Sequence, residues 1–290
     1  MKRIAIFGTS ISDDHQVQAA EIIKKFIAAG FDMSFYSEFK QKWNASYHFN
    51  SIQEFDDIST ESFDAIISLG GDGTFLKCAH LCYKNETPIL GINFGKLGFL
   101  AQTKPDDIDF IITQLQQETF SIRKRSILDF SFQEDNTIHE GIGVNEITLQ
   151  KSNAVKLIKI NIYVSDEFLC SFWADGVAIS TPTGSTGYSL SLGSPILSPD
   201  NQSIVITPIA PHTLSVRPIV IPDSEIITIE ATGEYTNFLI SNDFQSLTIQ
   251  NEPTIRIKKS AHVVSTIEFN NTNFFETLRE KLKLGYDIRK

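Results

Sequence analysis

The chain has 290 residues, 41% of them hydrophobic and 21% charged, which is enough for a large buried core and for two domains. Its net charge is -10 and its pI about 5.1, a balance that works against nonspecific attraction to nucleic acid or to an anionic membrane leaflet. Cys78, Cys82 and Cys170 are odd in number and give no disulfide framework, and no apolar run reaches the length of a membrane span. The apolar stretch Ile4-Ala5-Ile6-Phe7 is too short for a signal peptide, so a soluble, cytoplasmic protein without nucleic-acid or membrane partners is expected.

In chain order, residues 4–7 read as a first strand and residues 16–29 as a helix with Val17, Ala20, Ile23 and Ile27 on one face, closed by Gly30. Residues 31–36, 65–69 and 88–93 read as further strands with helical material between them, the alternation of a parallel α/β sheet. The first turn, Gly8-Thr9-Ser10-Ile11-Ser12, lacks the spaced glycines of a dinucleotide fingerprint, which removes the main support for a nicotinamide dehydrogenase. Residues 40–59 mix aromatic and polar side chains and fit a surface loop or short helix.

The strand at 65–69 runs into Gly70-Gly71-Asp72-Gly73-Thr74 and then into a helix-like stretch at 75–83. Glycines at such a junction let the backbone approach a ligand, and amides at a helix N-terminus favour anionic oxygens. A carboxylate there repels phosphate unless it binds a metal or accepts a proton, so Asp72 points to phosphoryl transfer onto a hydroxyl. Cys78 and Cys82 lie four apart on the following helix without a second pair to complete a zinc site, and read as core packing.

The fourth strand leads into Gly91-Ile92-Asn93-Phe94-Gly95-Lys96-Leu97-Gly98-Phe99-Leu100, where open α/β sheets place ligand loops. After Arg123 short β-branched segments follow one another, at 128–132, 157–164, 204–206, 226–229, 238–240 and 254–257, several alternating apolar with polar residues. An all-β second domain is expected. Within it, Asn145-Glu146 sets an amide beside a carboxylate, and Asp175 leads into Thr181-Pro182-Thr183-Gly184-Ser185-Thr186-Gly187-Tyr188, a hydroxyl-rich loop able to cradle a sugar, stack a base and bind phosphate. Residues 273–284 read as a helix with Phe274, Leu278 and Leu282 along one face, stopped by Gly285 and docking on the first domain.

Together Gly70 to Thr74, Gly91 to Leu100, Asn145-Glu146, Asp175 through Tyr188, and Pro211-His212-Thr213-Leu214-Ser215-Val216-Arg217-Pro218 resemble the NAD kinase family, bacterial type, in order and spacing. The resemblance implies a Rossmann-like α/β domain at 1–123 and 270–290 and a β-sandwich NAD-binding domain at 124–269. It implies Mg²⁺-dependent transfer of the γ-phosphate of ATP to the 2′-hydroxyl of the adenosine ribose of NAD, in a homodimer or homotetramer. Carried over by motif, Asp72 is the catalytic carboxylate, Gly70, Gly71, Gly73 and Thr74 form the ATP phosphate loop, and Gly73, Phe99, Asn145, Glu146, Asp175, Thr183, Thr186, Gly187, Tyr188 and Ser191 bind NAD. His212 is a site residue or a buried histidine buttressing a Pro-rich turn, and no side chain is assigned as a direct metal ligand. The sequence departs from the family pattern at Gly187, where alanine is usual, at Ser194, where glycine is usual, and at Phe244, which puts the role of Asp243 in question.

The chain has no Gly-x-x-x-x-Gly-Lys-Ser/Thr, so the glycine amides around Asp72 replace a P-loop. Two other readings share features with this one. A lipid kinase of the diacylglycerol or sphingosine type has a related glycine-aspartate loop but needs a membrane-facing surface. A noncatalytic NAD(P) sensor keeps the pocket without turnover, against which the intact Asp72 and Asn145-Glu146 argue. Gly187-Tyr188-Ser189-Leu190-Ser191 lacks the second glycine of a nucleophile elbow, which excludes a serine hydrolase of that type.

Overall fold

The computed structural model describes residues 1–9, 12–43, 49, 52–95, 98–152, 156–233, 237–269 and 273–285. They form two compact units, Met1–Lys124 with Val264–Lys290, and Arg125–Val263.

The first unit begins with β1 (Arg3–Gly8), α1 (Asp13–Ala28), β2 (Asp32–Tyr36), α2 (Ser37–Lys40), β3 (Gln53–Phe55), β4 (Ala65–Leu69), α3 (Asp72–Cys82), β5 (Ile89–Ile92) and α4 (Ile108–Gln117). Its strands run parallel in the order β3-β2-β1-β4-β5. The order reverses between β1 and β4, and open α/β sheets bind ligands beyond the carboxyl ends of the strands at such a switch point. Asp72 opens the helix that follows β4, and is placed there by topology.

Helix α1 starts three residues before the expected Gln16, and its buried face is Ala19, Ala20, Ile22, Ile23 and Phe26. Val17 and Ile27, expected inward, are 51% and 43% exposed. The helix is rotated to seat the ring of Phe26, whose full burial contributes about 1.5 to 3 kcal/mol. Within 40–59, β3 pairs with β2 through Ser34↔Gln53 and Tyr36↔Phe55, an edge strand that the sequence reading missed. Asn44 and its neighbours to residue 48 lie outside the described residues.

The second unit contains most of β6 (Ser121–Glu134), then β7 (Thr137–Gly143), β8 (Glu146–Lys151), β9 (Ile158–Val164), β10 (Glu167–Ala174), β11 (Gly176–Ser180), α5 (Tyr188–Ser191), β12 (Ser203–Ile209), β13 (Ile219–Pro222), β14 (Ile227–Thr232), β15 (Phe238–Asn242), β16 (Gln245–Ile249) and the first part of β17 (Thr254–Glu268). An antiparallel sheet runs β13-β12-β11-β8-β15-β16, while β9 pairs with β10 and with β14, which pairs in turn with residues 254–257 of β17. Alternating residues of both layers, among them Ile147, Leu149, Val177 and Ile179 against Ile160, Ile162, Ile229 and Ile255, make one apolar core. This is the β-sandwich expected of the second domain.

The last part of β17 returns to the first unit, where Thr266 pairs with Ile89 of β5. The Arg123 Nε donates to both carboxylate oxygens of Glu268 at 2.8 Å, tying the outgoing and returning chain together within that unit. Helix α6 (Phe274–Leu282) is capped by Asn273, whose Oδ1 accepts from the Phe275 amide at 2.9 Å. It ends on Lys283, whose φ is 55°, two residues before the expected stop at Gly285. Phe274, Leu278 and Leu282 are half-buried, and Thr277 is the buried residue of the helix.

Candidate active site

In the first unit, Asp72 is the first residue of α3, and its carboxylate collects three successive backbone amides from the loop after β5. Oδ2 accepts from Phe99 at 2.8 Å, and Oδ1 accepts from Leu100 at 3.1 Å and Ala101 at 3.0 Å. A carboxylate has about four lone-pair sites, so these bonds leave room for one more donor, at Oδ2. Gly70 reaches this turn with φ +150°, and a side chain there would collide with Thr74 Oγ1. Thr74 in turn stands 3.2 Å from Thr9 Oγ1, joining the loops after β1 and β4 across the switch point. The structure thus brings together Gly70 to Thr74 with Phe99, while Lys96 and Leu97 lie outside the described residues.

One neighbour of Asp72 was absent from the sequence reading. The ammonium of Lys281, on α6, lies 3.8 Å from Asp72 Oδ2 and 4.5 Å from the centroid of the Phe99 ring. Lys281 is more than two hundred residues from Asp72 in sequence, and a lone lysine on an amphipathic helix reads as a solvated charge, so nothing local in the sequence marks it.

In the second unit, Asp243 repeats the device of Asp72. Its Oδ2 accepts from Val144 at 2.7 Å and its Oδ1 from Asn145 at 2.8 Å and Glu146 at 3.3 Å. Asp243 has φ 55° in the two-residue turn between β15 and β16, a conformation that aspartate tolerates better than most residues. Phe244 therefore does not remove Asp243 from the site's framework: the carboxylate fixes the Val144-Asn145-Glu146 turn. Glu146 is 8% exposed, and its Oε2 has no hydrogen-bond partner. Burial, reinforced by the charge of Asp243, pushes its carboxyl up to about 7, against the opposing pull of the Tyr188 and Ser189 amides.

The hydroxyl-rich loop is fastened to the same turn. Thr181 donates its amide to Asn145 O at 2.9 Å and its hydroxyl to Val144 O at 2.7 Å, and accepts from the Gly184 amide at 3.0 Å. A methyl group on Gly184 would lie 1.9 Å from Asn145 O, and one on Gly187 would lie 2.9 Å from Glu146 Oε2. Asn145, Glu146, Thr183, Thr186, Gly187 and Tyr188 therefore share one end of the β8–β11 pair, where Glu146 stands opposite Ser180. Thr183 is buried, Tyr188 is 40% exposed and Ser191 is exposed. Ser194, a departure from the family pattern, is buried and hydrogen-bonded to Thr207 Oγ1.

Two residues expected in this pocket stand elsewhere. Asp175 precedes β11 while the loop follows it, so the five residues of that strand, roughly 17 Å, separate them. Its carboxylate is held by Lys151 Nζ at 2.6 Å. His212 lies at the Asp175 end, donating its amide to Trp173 O at 2.8 Å; its side chain is exposed, which corrects the reading of a buried buttress. The cysteines of α3 are packing: Cys78 is 0% and Cys82 2% exposed, and burial, then the neighbouring thiol, drives Cys78 far toward its neutral form.

Residues 16–120 match the family described as ATP-NAD kinase N-terminal domain, and residues 144–269 that described as ATP-NAD kinase C-terminal domain. An NAD kinase of Flavobacterium johnsoniae is 42% identical over 230 residues, 79% of this chain and 78% of the relative. One from Porphyromonas gingivalis is 36% identical over 293 residues, 100% of each. Among solved structures, yeast NADH kinase complexed with NADH superposes with a TM-score of 0.90 at 23% identity, covering 100% of this chain and 89% of the yeast chain. An Archaeoglobus fulgidus NAD kinase in complex with ATP gives 0.71 at 22% identity, covering 97% and 98%. These two likenesses concern the fold.

Proposed function

The chain belongs to the NAD kinase family, and from that premise we propose how its residues carry the family's reaction, transfer of the γ-phosphate of ATP to the 2′-hydroxyl of the adenosine ribose of NAD. The observation that carries the residue assignment is the carboxylate of Asp72, fixed by three amides at the start of α3 with acceptor capacity left at Oδ2. That oxygen receives the proton of the hydroxyl as its oxygen attacks the γ-phosphorus, and ADP leaves with the electron pair of the broken bond. Gly71 and Gly73 hold the phosphates through backbone amides, those of Gly70 and Thr74 being engaged by Ile92 O at 2.9 Å and Gly71 O at 3.0 Å, and Asn145, Glu146, Thr183, Thr186, Gly187 and Tyr188 hold the dinucleotide. A loose phosphoryl transition state asks for alignment and charge neutralisation more than covalent chemistry.

Among the described residues no three His, Cys, Asp or Glu side chains converge. Mg²⁺ would come with the phosphates of ATP and would supply charge neutralisation there. A homodimer or homotetramer is part of the reading, with Asp175, a strand length from the loop of its own chain, as the residue that would serve the dinucleotide of a neighbouring copy.

The test is purified protein with Mg-ATP and NAD, read out by an NADP-specific dehydrogenase. NADP formation abolished by EDTA, with no product from diacylglycerol or sphingosine, is the expected result; lipid turnover without NADP would sink the reading.

A further inference from the structure

We infer that Lys281 is a catalytic residue of this transfer, the cation that holds the γ-phosphoryl group beside Asp72; the inference rests on the function proposed above. A carboxylate that takes the proton from the attacking hydroxyl must stand close to the phosphoryl group that hydroxyl attacks, and the two repel each other. The described residues offer one ammonium at that carboxylate, and its placement is specific. Lys281 Nζ is 3.8 Å from Asp72 Oδ2, too far for a hydrogen bond and close enough for a strong field. The ring of Phe99 also holds it, with its centroid 4.5 Å from Nζ, an interaction that uses no N–H donor. Its three N–H donors therefore make no hydrogen bond to the described residues, while the side chain is only 27% exposed.

The geometry leaves the ammonium aligned by two neighbours and committed to neither. A phosphoryl oxygen at about 2.8 Å from Nζ replaces water there without displacing Asp72. The hydroxyl proton passes to Asp72, the new O–P bond forms as the bond to the leaving diphosphate breaks, and Lys281 stays protonated throughout. Its role is to bind charge that only the triphosphate brings, so its effect separates a triphosphate from a diphosphate.

The experiment uses the full-length protein and the variants Lys281→Gln and Lys281→Arg, measuring turnover, KM for each substrate, thermal stability, and the affinities of ATP and ADP by calorimetry. Lys281→Gln is expected to lose about 10²-fold in kcat, the effect of removing one donor to transition-state charge. ATP affinity is expected to fall while ADP affinity and KM for NAD hold, and Lys281→Arg is expected to recover part of the loss. Unchanged kcat and an unchanged ATP-to-ADP affinity ratio in Lys281→Gln would overturn the inference. So would equal losses for both nucleotides with lowered thermal stability, since that is a structural effect. A wild-type protein that makes no NADP would instead overturn the proposed function, and the ATP-to-ADP comparison would still decide whether Lys281 reads the third phosphate.

Discussion

A methyl group placed on Gly98 would lie 1.9 Å from Oδ1 of Asp72, so the loop after β5 carries no side chain where the carboxylate reaches across it. The close approach is what lets one carboxylate gather the amides of Phe99, Leu100 and Ala101. Asp72 thus has two tasks, to hold that loop and to keep one acceptor site at Oδ2.

Asp72→Asn separates these tasks only in part. Oδ1 of the new amide can keep the Leu100 and Ala101 bonds, but its NH₂ group then faces the Phe99 amide, donor against donor. The variant should lose about 1 to 3 kcal/mol of stability by thermal or denaturant unfolding, and kcat should fall about 10²- to 10⁴-fold, as for loss of a positioned general base. Nearly full kcat in a folded variant would make Asp72 a loop clamp and nothing more.

Two glycines of the hydroxyl-rich loop should respond differently to alanine. At Gly184 the new methyl meets the backbone carbonyl of Asn145 at 1.9 Å, which cannot rotate away, so Gly184→Ala should cost at least the 1 to 3 kcal/mol that is roughly typical of overpacking. At Gly187 the nearest atom is Glu146 Oε2 at 2.9 Å, the far end of a side chain that can shift, so Gly187→Ala should stay within about 1 kcal/mol of wild type. Melting curves of the two variants side by side check the ranking, and equal losses would contradict it.

Asn145→Ala should weaken NAD binding by about 1 to 3 kcal/mol, because a nucleoside group that pairs with a side-chain amide is left desolvated and unpaired. The backbone of Asn145 is held by Asp243 and Thr181 whatever the side chain, so the fold should survive. Calorimetric titration of NAD decides the matter, and undiminished affinity would take the Asn145 side chain out of the site.

The turn that carries Asp72 was legible in sequence because glycine turns and strand-helix junctions are local, and strands β1, β2, β4 and β5 of the first unit were each found within a residue or two. Val17 and Ile27 were misplaced because helical periodicity gives a stripe but not which edge of it faces the sheet, and here Phe26 decides. The edge strand Gln53–Phe55 has one buried residue in three, too little pattern to see. Lys281 and the clamp made by Asp243 depend on contacts between residues about a hundred or more positions apart, which no spacing rule reaches. Asp175 illustrates the converse: adjacency in a motif put it with the loop at Thr181, and the intervening strand β11 carries it to the other end.

Glu146 should make stability depend on pH in a defined window. Its carboxyl, ordinarily near 4.5, is raised to about 7 by burial first and by Asp243 second. The unfolded chain therefore releases this proton above about 4.5 while the folded chain keeps it to about 7, so the contribution is fully present below 4.5 and is lost as pH rises through 7. A displacement of that size corresponds to about 3 kcal/mol. Glu146→Gln, a neutral side chain of the same shape, should gain on wild type by about that amount above pH 7 and match it below 4.5. Urea unfolding of both proteins across pH 4 to 9 measures the difference, expected to grow through the window and then level off. The same ionisation changes what the site offers a ligand: the neutral carboxyl can donate a hydrogen bond, the carboxylate only accepts. KM for NAD should consequently bend near pH 7 in wild type and lose that bend in Glu146→Gln. A stability difference that is constant with pH, or a carboxyl resonance titrating below pH 5 by NMR, would show that burial leaves Glu146 ionised and that Asp243 does not oppose its charge.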